Sequence, residues 1–296
     1  MKPHLSLILA AAAQFSLATF PALSHPGSGI VVDRQGEIYF EDTGSGVWKL
    51  DTQGKLTQIG PTRFHWLALD ADDRLRGATL PSGSNGEITR VAAKPTLLVA
   101  SDFPIALSRD GSLYYPSHGT ALPLQIMKLT PSGRTSVLAR LPAPQAGKPL
   151  SELNGLATGP DESVYYTENK AIGRITPQGR VSTIVENIKL PKCASIPGNE
   201  AKDAPLLRGL VVADGGTIYV AASGCGSVLK VTPEGQITIL LEVESPWSPT
   251  AVALFGEDLY VLEYLHTAEE DRRAWVPRVR KVSPEGKSTI IATVRR

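Results

Sequence analysis

The side chains best suited to chemistry in this chain are few and scattered. His65 stands next to Trp66, which sets an imidazole that titrates near neutral pH beside an apolar wall, a pairing suited to moving a proton next to a bound ligand. Glu152 and Asn154 are two positions apart, so in an extended segment they share one side and offer the hard oxygens that a calcium-like divalent cation prefers. Arg208 brings a guanidinium that clamps a carboxylate or phosphate. His118, His266 and Glu168 add polar groups in stretches that read as loops. Plainer readings stand beside these: a structural histidine, an Asn154-Gly155 turn pair, an arginine paired with a neighbouring acid.

The common catalytic strings are absent. The chain has no G-x-S-x-G elbow, no H-E-x-x-H and no G-x-G-x-x-G after a strand. Asp70-Ala71-Asp72-Asp73 starts like a calcium loop but lacks the distal glutamate, and reads as a solvated turn.

A repeated unit must position these residues. From Leu207 to Leu241 the chain forms four short apolar runs separated by Asp214-Gly215-Gly216, Ser223-Gly224-Cys225-Gly226 and Pro233-Glu234-Gly235. Glycine and proline supply the turns, and the Val, Ile, Leu, Thr and Tyr between them suit a pleated sheet. The tyrosine of the second run, Tyr219, has counterparts at Tyr39, Tyr114, Tyr165 and Tyr260, with Arg76 in that place in the second unit. A second marker closes the third run with a basic residue, an aliphatic one and a glycine turn, as in Lys49-Leu50 to Gly54, Lys128-Leu129 to Gly133, Arg174-Ile175 to Gly179, Lys230-Val231 to Gly235 and Lys281-Val282 to Gly286. The second unit keeps only Arg90-Val91.

One meander cannot bury both of its faces, and radial stacking lets neighbours cover each other. The expectation is an all-β, six-bladed β-propeller of four-stranded antiparallel blades, at about residues 29–60, 64–100, 103–141, 152–188, 206–243 and 249–294. Each blade is expected to be complete in chain order and the ring to close without a borrowed strand.

Extra length lies at Pro142 to Leu150, Leu190 to Leu206 and Tyr264 to Pro277. Successive strands reverse direction, so all three insertions fall on one face of the disc, where binding residues on a rigid scaffold concentrate. Phe64, Asp102, Phe103, Thr250, Glu41, Asp42, Asn169 and Glu263 are expected at the same mouth. Cys193 and Cys225 also fall there, within reach of a disulfide; a metal-binding thiol pair or free thiols are the alternatives, and neither has a supporting CxxC or His spacing.

Lys2, an apolar run from Leu5 to Leu23, and small residues Ala22 and Ser24 form a secretory signal with cleavage expected after Ser24, rather than a membrane anchor. Residues 25–296 then make a single propeller domain, secreted or periplasmic, with no membrane span after cleavage. Two cysteines suit such an oxidising compartment. Removing Lys2 from the 30 basic residues leaves 29 against 29 acidic ones, so phosphate-backbone binding has no basic surplus to draw on and nucleic acid is not the expected partner.

The runs Gly29-Ile30-Val31-Val32-Asp33-Arg34-Gln35-Gly36-Glu37-Ile38-Tyr39, Asn154-Gly155-Leu156-Ala157 and Arg208-Gly209-Leu210-Val211-Val212 resemble the NHL-repeat and senescence-marker-protein/gluconolactonase group of six-bladed propellers. That resemblance implies the fold over the whole mature chain. In the lactonase branch it implies a divalent ion held by a glutamate opening the first inner strand, two asparagines and an aspartate. Asn154 matches this pattern; Gly27-Ser28-Gly29 stands where the glutamate belongs, His65 near the second-blade asparagine, and Arg208 in place of the aspartate.

Two functions follow as expectations. One is an exported propeller that binds a small molecule, peptide or protein partner at its loop-rich mouth through Trp66, Arg208, His118, His266 and Glu168. The other is a lactonase-type hydrolase in which Asn154 and Glu152 hold calcium or another divalent cation and His65 and Glu152 handle the proton.

Overall fold

Tight turns set the architecture. Asp33 accepts from the N–H groups of Gln35 and Glu37 at 2.9 Å each, and Asp51 does the same for Gln53 and Lys55 at 3.0 and 2.8 Å. Gly54, Gly133, Gly179, Gly235 and Gly286 close the third-to-fourth strand turns with φ between 81° and 84°. A side chain there would be strained, which explains why the marker ends in glycine. The computed structural model describes residues 26–60, 64–83, 86–92, 97–117, 123–142, 153–168, 170–191, 193, 205–265 and 274–295.

Six four-stranded antiparallel sheets result. Blade 1 comprises β1 (Ile30–Val32), β2 (Ile38–Asp42), β3 (Gly46–Leu50) and β4 (Leu56–Gln58); blade 2, β5 (Trp66–Asp70), β6 (Ser82–Gly83), β7 (Gly86–Ala92) and β8 (Leu97–Ser101). Blade 3 holds β9 (Ala106–Leu107), β10 (Leu113–Pro116), β11 (Gln125–Leu129) and β12 (Thr135–Arg140); blade 4, β13 (Leu153–Thr158), β14 (Val164–Glu168), β15 (Ala171–Ile175) and β16 (Val181–Val185). Blade 5 is β17 (Leu207–Val212), β18 (Ile218–Ala222), β19 (Ser227–Val231) and β20 (Ile237–Glu242); blade 6 is β21 (Trp247–Phe255), β22 (Asp258–Leu265), β23 (Pro277–Val282) and β24 (Ser288–Thr293). The inner strands touch in cyclic order β1, β5, β9, β13, β17, β21 and back to β1, so the ring closes with each terminus in its own sheet.

The core lies between blades. Phe40 packs with Leu262 and Tyr264 between blades 1 and 6, Trp66 and Val99 with Leu113 and Tyr115 between blades 2 and 3, and Ile172 with Leu207 and Val220 between blades 4 and 5. Each blade face is thus kept dry by its neighbour.

The repeat markers meet in space. Tyr39 stands opposite Lys49, Tyr114 opposite Lys128, Tyr165 opposite Arg174, Tyr219 opposite Lys230 and Tyr260 opposite Lys281. In four of these blades the cation sits 5.5 to 6.0 Å from the ring centroid. The same cations pair with Glu37, Asp110, Asp161 and Asp258 of the preceding turns.

Blade 2 departs from the expected chain order: its sheet runs β5-β8-β7-β6. The stretch in which Arg76 replaces the tyrosine forms no strand. Asp70, 2% exposed, accepts from the N–H groups of Arg74 at 3.0 Å and Leu75 at 2.7 Å and folds the chain back on itself. Arg90, the basic marker without its tyrosine, donates instead to the carbonyls of Leu75 and Ala78 at 2.5 and 2.6 Å. The last strand of the unit then takes the place beside β5. Asp72 pairs with Arg34 and Arg74 at the surface, the solvated turn expected there.

Candidate functional site

Inner-strand starts pair with second-strand ends in three blades: Leu153 with Glu168, Leu207 with Ala222, Trp247 with Leu265. In blade 2 Trp66 pairs with Ser101 at the end of β8. These residues therefore ring one mouth. His118, Glu152, Asn169 and His266 lie outside the described residues. So do residues 1–25, which include the expected signal.

Cys193 and Cys225 are disulfide-bonded with their Cα atoms 3.9 Å apart, as their common face implied. Cys225 belongs to a short 3-10 turn, Ser223–Cys225, at the end of β18, so the bridge ties the incoming connection of blade 5 to that blade's own tip.

At the centre of the ring the six inner strands enclose a cavity of about 270 Å³ lined by successive residues of each strand, such as Ile30 to Val32, Gly155 to Thr158 and Gly209 to Val211, with Ser28 and Trp66 also in its lining. Side chains of an inner strand alternate between the two faces of their blade, so Leu67, Leu156, Leu210 and Val252 pack into the clusters between blades and the strand edges, with their backbone N–H and C=O groups, face the axis. The channel wall is therefore of mixed polarity.

The rim gathers most of the expected residues. His65, 7% exposed, has its Nδ1 3.7 Å from Asp102 Oδ1, and its ring meets Trp66 with centroids 5.7 Å apart. Asn154 and Arg208 lie on adjacent inner strands: a Cβ on Gly155 would stand 2.6 Å from the Arg208 carbonyl oxygen, and Thr167 donates to that oxygen at 2.9 Å. Gly155 is therefore glycine because two backbones approach closely inside a strand, and not because it turns the chain. The Arg208 guanidinium reaches past blade 6 to the Pro26 carbonyl, Nη1 to O 3.5 Å. Glu168 is half-buried at the end of β14; burial, and after it the Glu168 charge, push the Tyr166 phenol up to about 12.

The rim also holds one acid of a different kind. Glu41, at the top of β2, is 0% exposed, and neither carboxylate oxygen has a hydrogen-bond partner. Burial, and after it the charges of Asp42 and Asp102, hold its carboxyl well above the usual range. Ser28 Oγ and Thr43 Oγ1 are likewise buried without partners. Tyr264 fixes this corner by donating to the Glu41 carbonyl at 2.6 Å while accepting from the Thr43 N–H at 3.4 Å. Sequence reasoning placed Glu41 at the mouth among many polar residues, and nothing in its neighbours distinguished it. Ser28 and Thr43 carried no signal at all.

The donors do not fit the divalent-ion pattern. Among the described residues no three His, Cys, Asp or Glu side chains come together as a metal group, and Arg208, the residue in place of the aspartate, carries a cation where the pattern needs a carboxylate.

No family model and no curated protein matches the sequence. Solved structures do match in shape. A streptogramin B lyase shares 18% identity over 93% of this chain and 86% of its own, with a TM-score of 0.52. A calcium-binding regucalcin from Agrobacterium tumefaciens shares 17% over 80% and 81%, TM-score 0.54, and a gluconolactonase from Xanthomonas campestris 14% over 79% and 82%, TM-score 0.51. Identity this low speaks to architecture alone, and on that level the chain is a six-bladed β-propeller similar to the gluconolactonase-like group.

Proposed function

We propose that this protein is an exported propeller that binds a small organic molecule at the mouth of its channel. One observation supports the reading: a cavity of about 270 Å³ on the ring axis has Trp66 in its lining, with the His65–Asp102 pair beside that residue and the Arg208 guanidinium at the start of another inner strand. A small ligand with both polar and apolar surface matches that layout. The disulfide supports an extracytoplasmic setting.

A fragment screen by ligand-observed NMR on the full mature chain tests this. Channel ligands are expected to lose about tenfold or more in affinity in Trp66→Ala, and carboxylate-bearing ones in Arg208→Ala. Hits indifferent to both substitutions would put the site elsewhere and end the proposal.

A divalent-metal hydrolase is the second reading, favoured by likeness of fold to a gluconolactonase and opposed by an arginine, Arg208, in the place of a ligating aspartate. A lactone panel with and without chelator, alongside elemental analysis, separates the two. Turnover lost to chelator and restored by calcium would make the protein that hydrolase.

A further inference from the structure

The end of the channel away from the mouth carries a second cavity. It measures about 430 Å³ and adjoins the axial one, since Leu69 and Leu107 line both. Inner strands start at the mouth, so the turns that follow them lie at the opposite end. Three of those turns bring an arginine into the lining: Arg34 after β1, Arg74 after β5 and Arg109 after β9.

Two acids share the lining, Asp70 and Asp72. Asp70 is buried and engages the N–H groups of Arg74 and Leu75 with its two oxygens. Asp72 lies at the surface in a clamp: Arg34 Nη1 and Nη2 stand 3.0 and 3.3 Å from its two oxygens, and Arg74 Nη2 stands 3.2 Å from one of them. The Arg34 hydrogen bonds, and with them the charges of Arg34 and Arg74, hold its carboxyl below the usual range. Arg109 reaches past blade 4 to Asp214 in the β17–β18 turn of blade 5, 2.7 Å away. Three guanidinium groups against two carboxylates leave the cavity lining with a surplus of one positive charge.

Arg74 is fixed in place before any ligand arrives. Its stem lies over Gly111, where an added Cβ would stand 2.6 Å from Arg74 Cδ, and its Nη1 donates to the Arg109 carbonyl at 2.6 Å. Arg34 and Arg109 are held less firmly. Both side chains are 69% exposed, and ion pairs so open to water contribute little. Among the described residues, Arg34 Nε and Arg109 Nε and Nη1 make no hydrogen bond.

We propose that this cavity is a binding site for a multiply charged oxyanion, a phosphate or polycarboxylate group held between Arg34, Arg74 and Arg109. A monoanion would only exchange one carboxylate for Asp72, which the chain already holds there at high effective concentration. Two or more charges let one ligand bridge the three arginines and outweigh the repulsion of Asp72. The Arg109–Asp214 pair is the one that opens, because the Asp214 side chain is 89% exposed and little is lost when water takes its place. The site lies at the far end of the channel from Trp66 and Arg208 and does not depend on a ligand at the mouth.

Titration calorimetry of the full mature chain with pyrophosphate, citrate and acetate at low ionic strength tests it. At least one of the two polyanions is expected to bind about ten times tighter than acetate or more, and Arg34→Ala and Arg109→Ala each to weaken it about tenfold. Which polyanion binds decides between a phosphate and a polycarboxylate. Asp72→Asn removes the competing charge and is expected to tighten binding about threefold or more, a gain that loss of folding does not produce. Arg134→Ala deletes an equal exposed charge outside the cavity lining and is expected to change binding by less than about twofold. Absence of binding by both polyanions, or equal losses in Arg134→Ala and Arg109→Ala, overturns the inference. The channel-mouth site is decided separately, by the fragment screen.

Discussion

Gly155 and Arg208 meet backbone to backbone: a Cβ at residue 155 would lie 2.6 Å from the Arg208 carbonyl oxygen. That contact fixes how closely blades 4 and 5 approach at the rim and so where the Arg208 guanidinium starts. Backbone cannot yield as a flexible side-chain tip can. Gly155→Ala is therefore expected to cost about 1 to 3 kcal/mol by overpacking, read by denaturant unfolding, and to weaken carboxylate ligands with it.

Glu263 is 0% exposed on β22 and lies between Arg278 and Arg280, each Nε 2.5 Å from one of its oxygens. Arg278 also stacks on Trp247, 3.9 Å from the ring centroid. Removing the acid leaves two guanidinium groups facing each other in a dry place. Glu263→Gln is expected to lose about 3 to 5 kcal/mol of folding stability, and a loss under 1 kcal/mol would show that solvent reaches the network.

The acid at the rim has the opposite signature. Because Glu41 holds its proton more tightly folded than unfolded, its contribution is complete below the ordinary glutamate range and is lost as pH rises toward its folded value. The wild-type chain is expected to lose stability relative to Glu41→Gln between pH 4 and pH 8, the gap closing at the acid end. Parallel stability curves for the two proteins across that range would contradict the assignment.

The disulfide joins positions 32 residues apart. On the chain-entropy model, losing it through Cys193→Ala together with Cys225→Ala is expected to cost about 3 to 4 kcal/mol. The wild-type chain should lose the same amount in reductant and the double variant nothing.

Asp70 caps the irregular segment of blade 2 through two backbone N–H groups. Asp70→Ala is expected to cost about 2 to 3 kcal/mol, since both donors stay inside without a partner. Amide exchange should rise first at Arg74 and Leu75.

Local chemistry made much of this protein legible in its sequence. Tyr39 and Lys49, or Tyr260 and Lys281, recur because a strand pair sets them opposite each other, and the turn glycines recur because φ must be positive there. Such constraints act within one blade, so a linear pattern records them, and five clear copies with one degraded copy count six blades. The common face of Cys193 and Cys225 followed from the same strand reversal. Tertiary structure alone decided the rest. The exchanged strand order of blade 2 depends on whether β8 or the Arg76 stretch pairs better with β5, a competition among distant segments. The burial of Glu41 depends on residues remote in the chain, among them Gly27 against its Cβ and Tyr264 on its carbonyl, and burial by remote neighbours leaves no trace in the residues beside it.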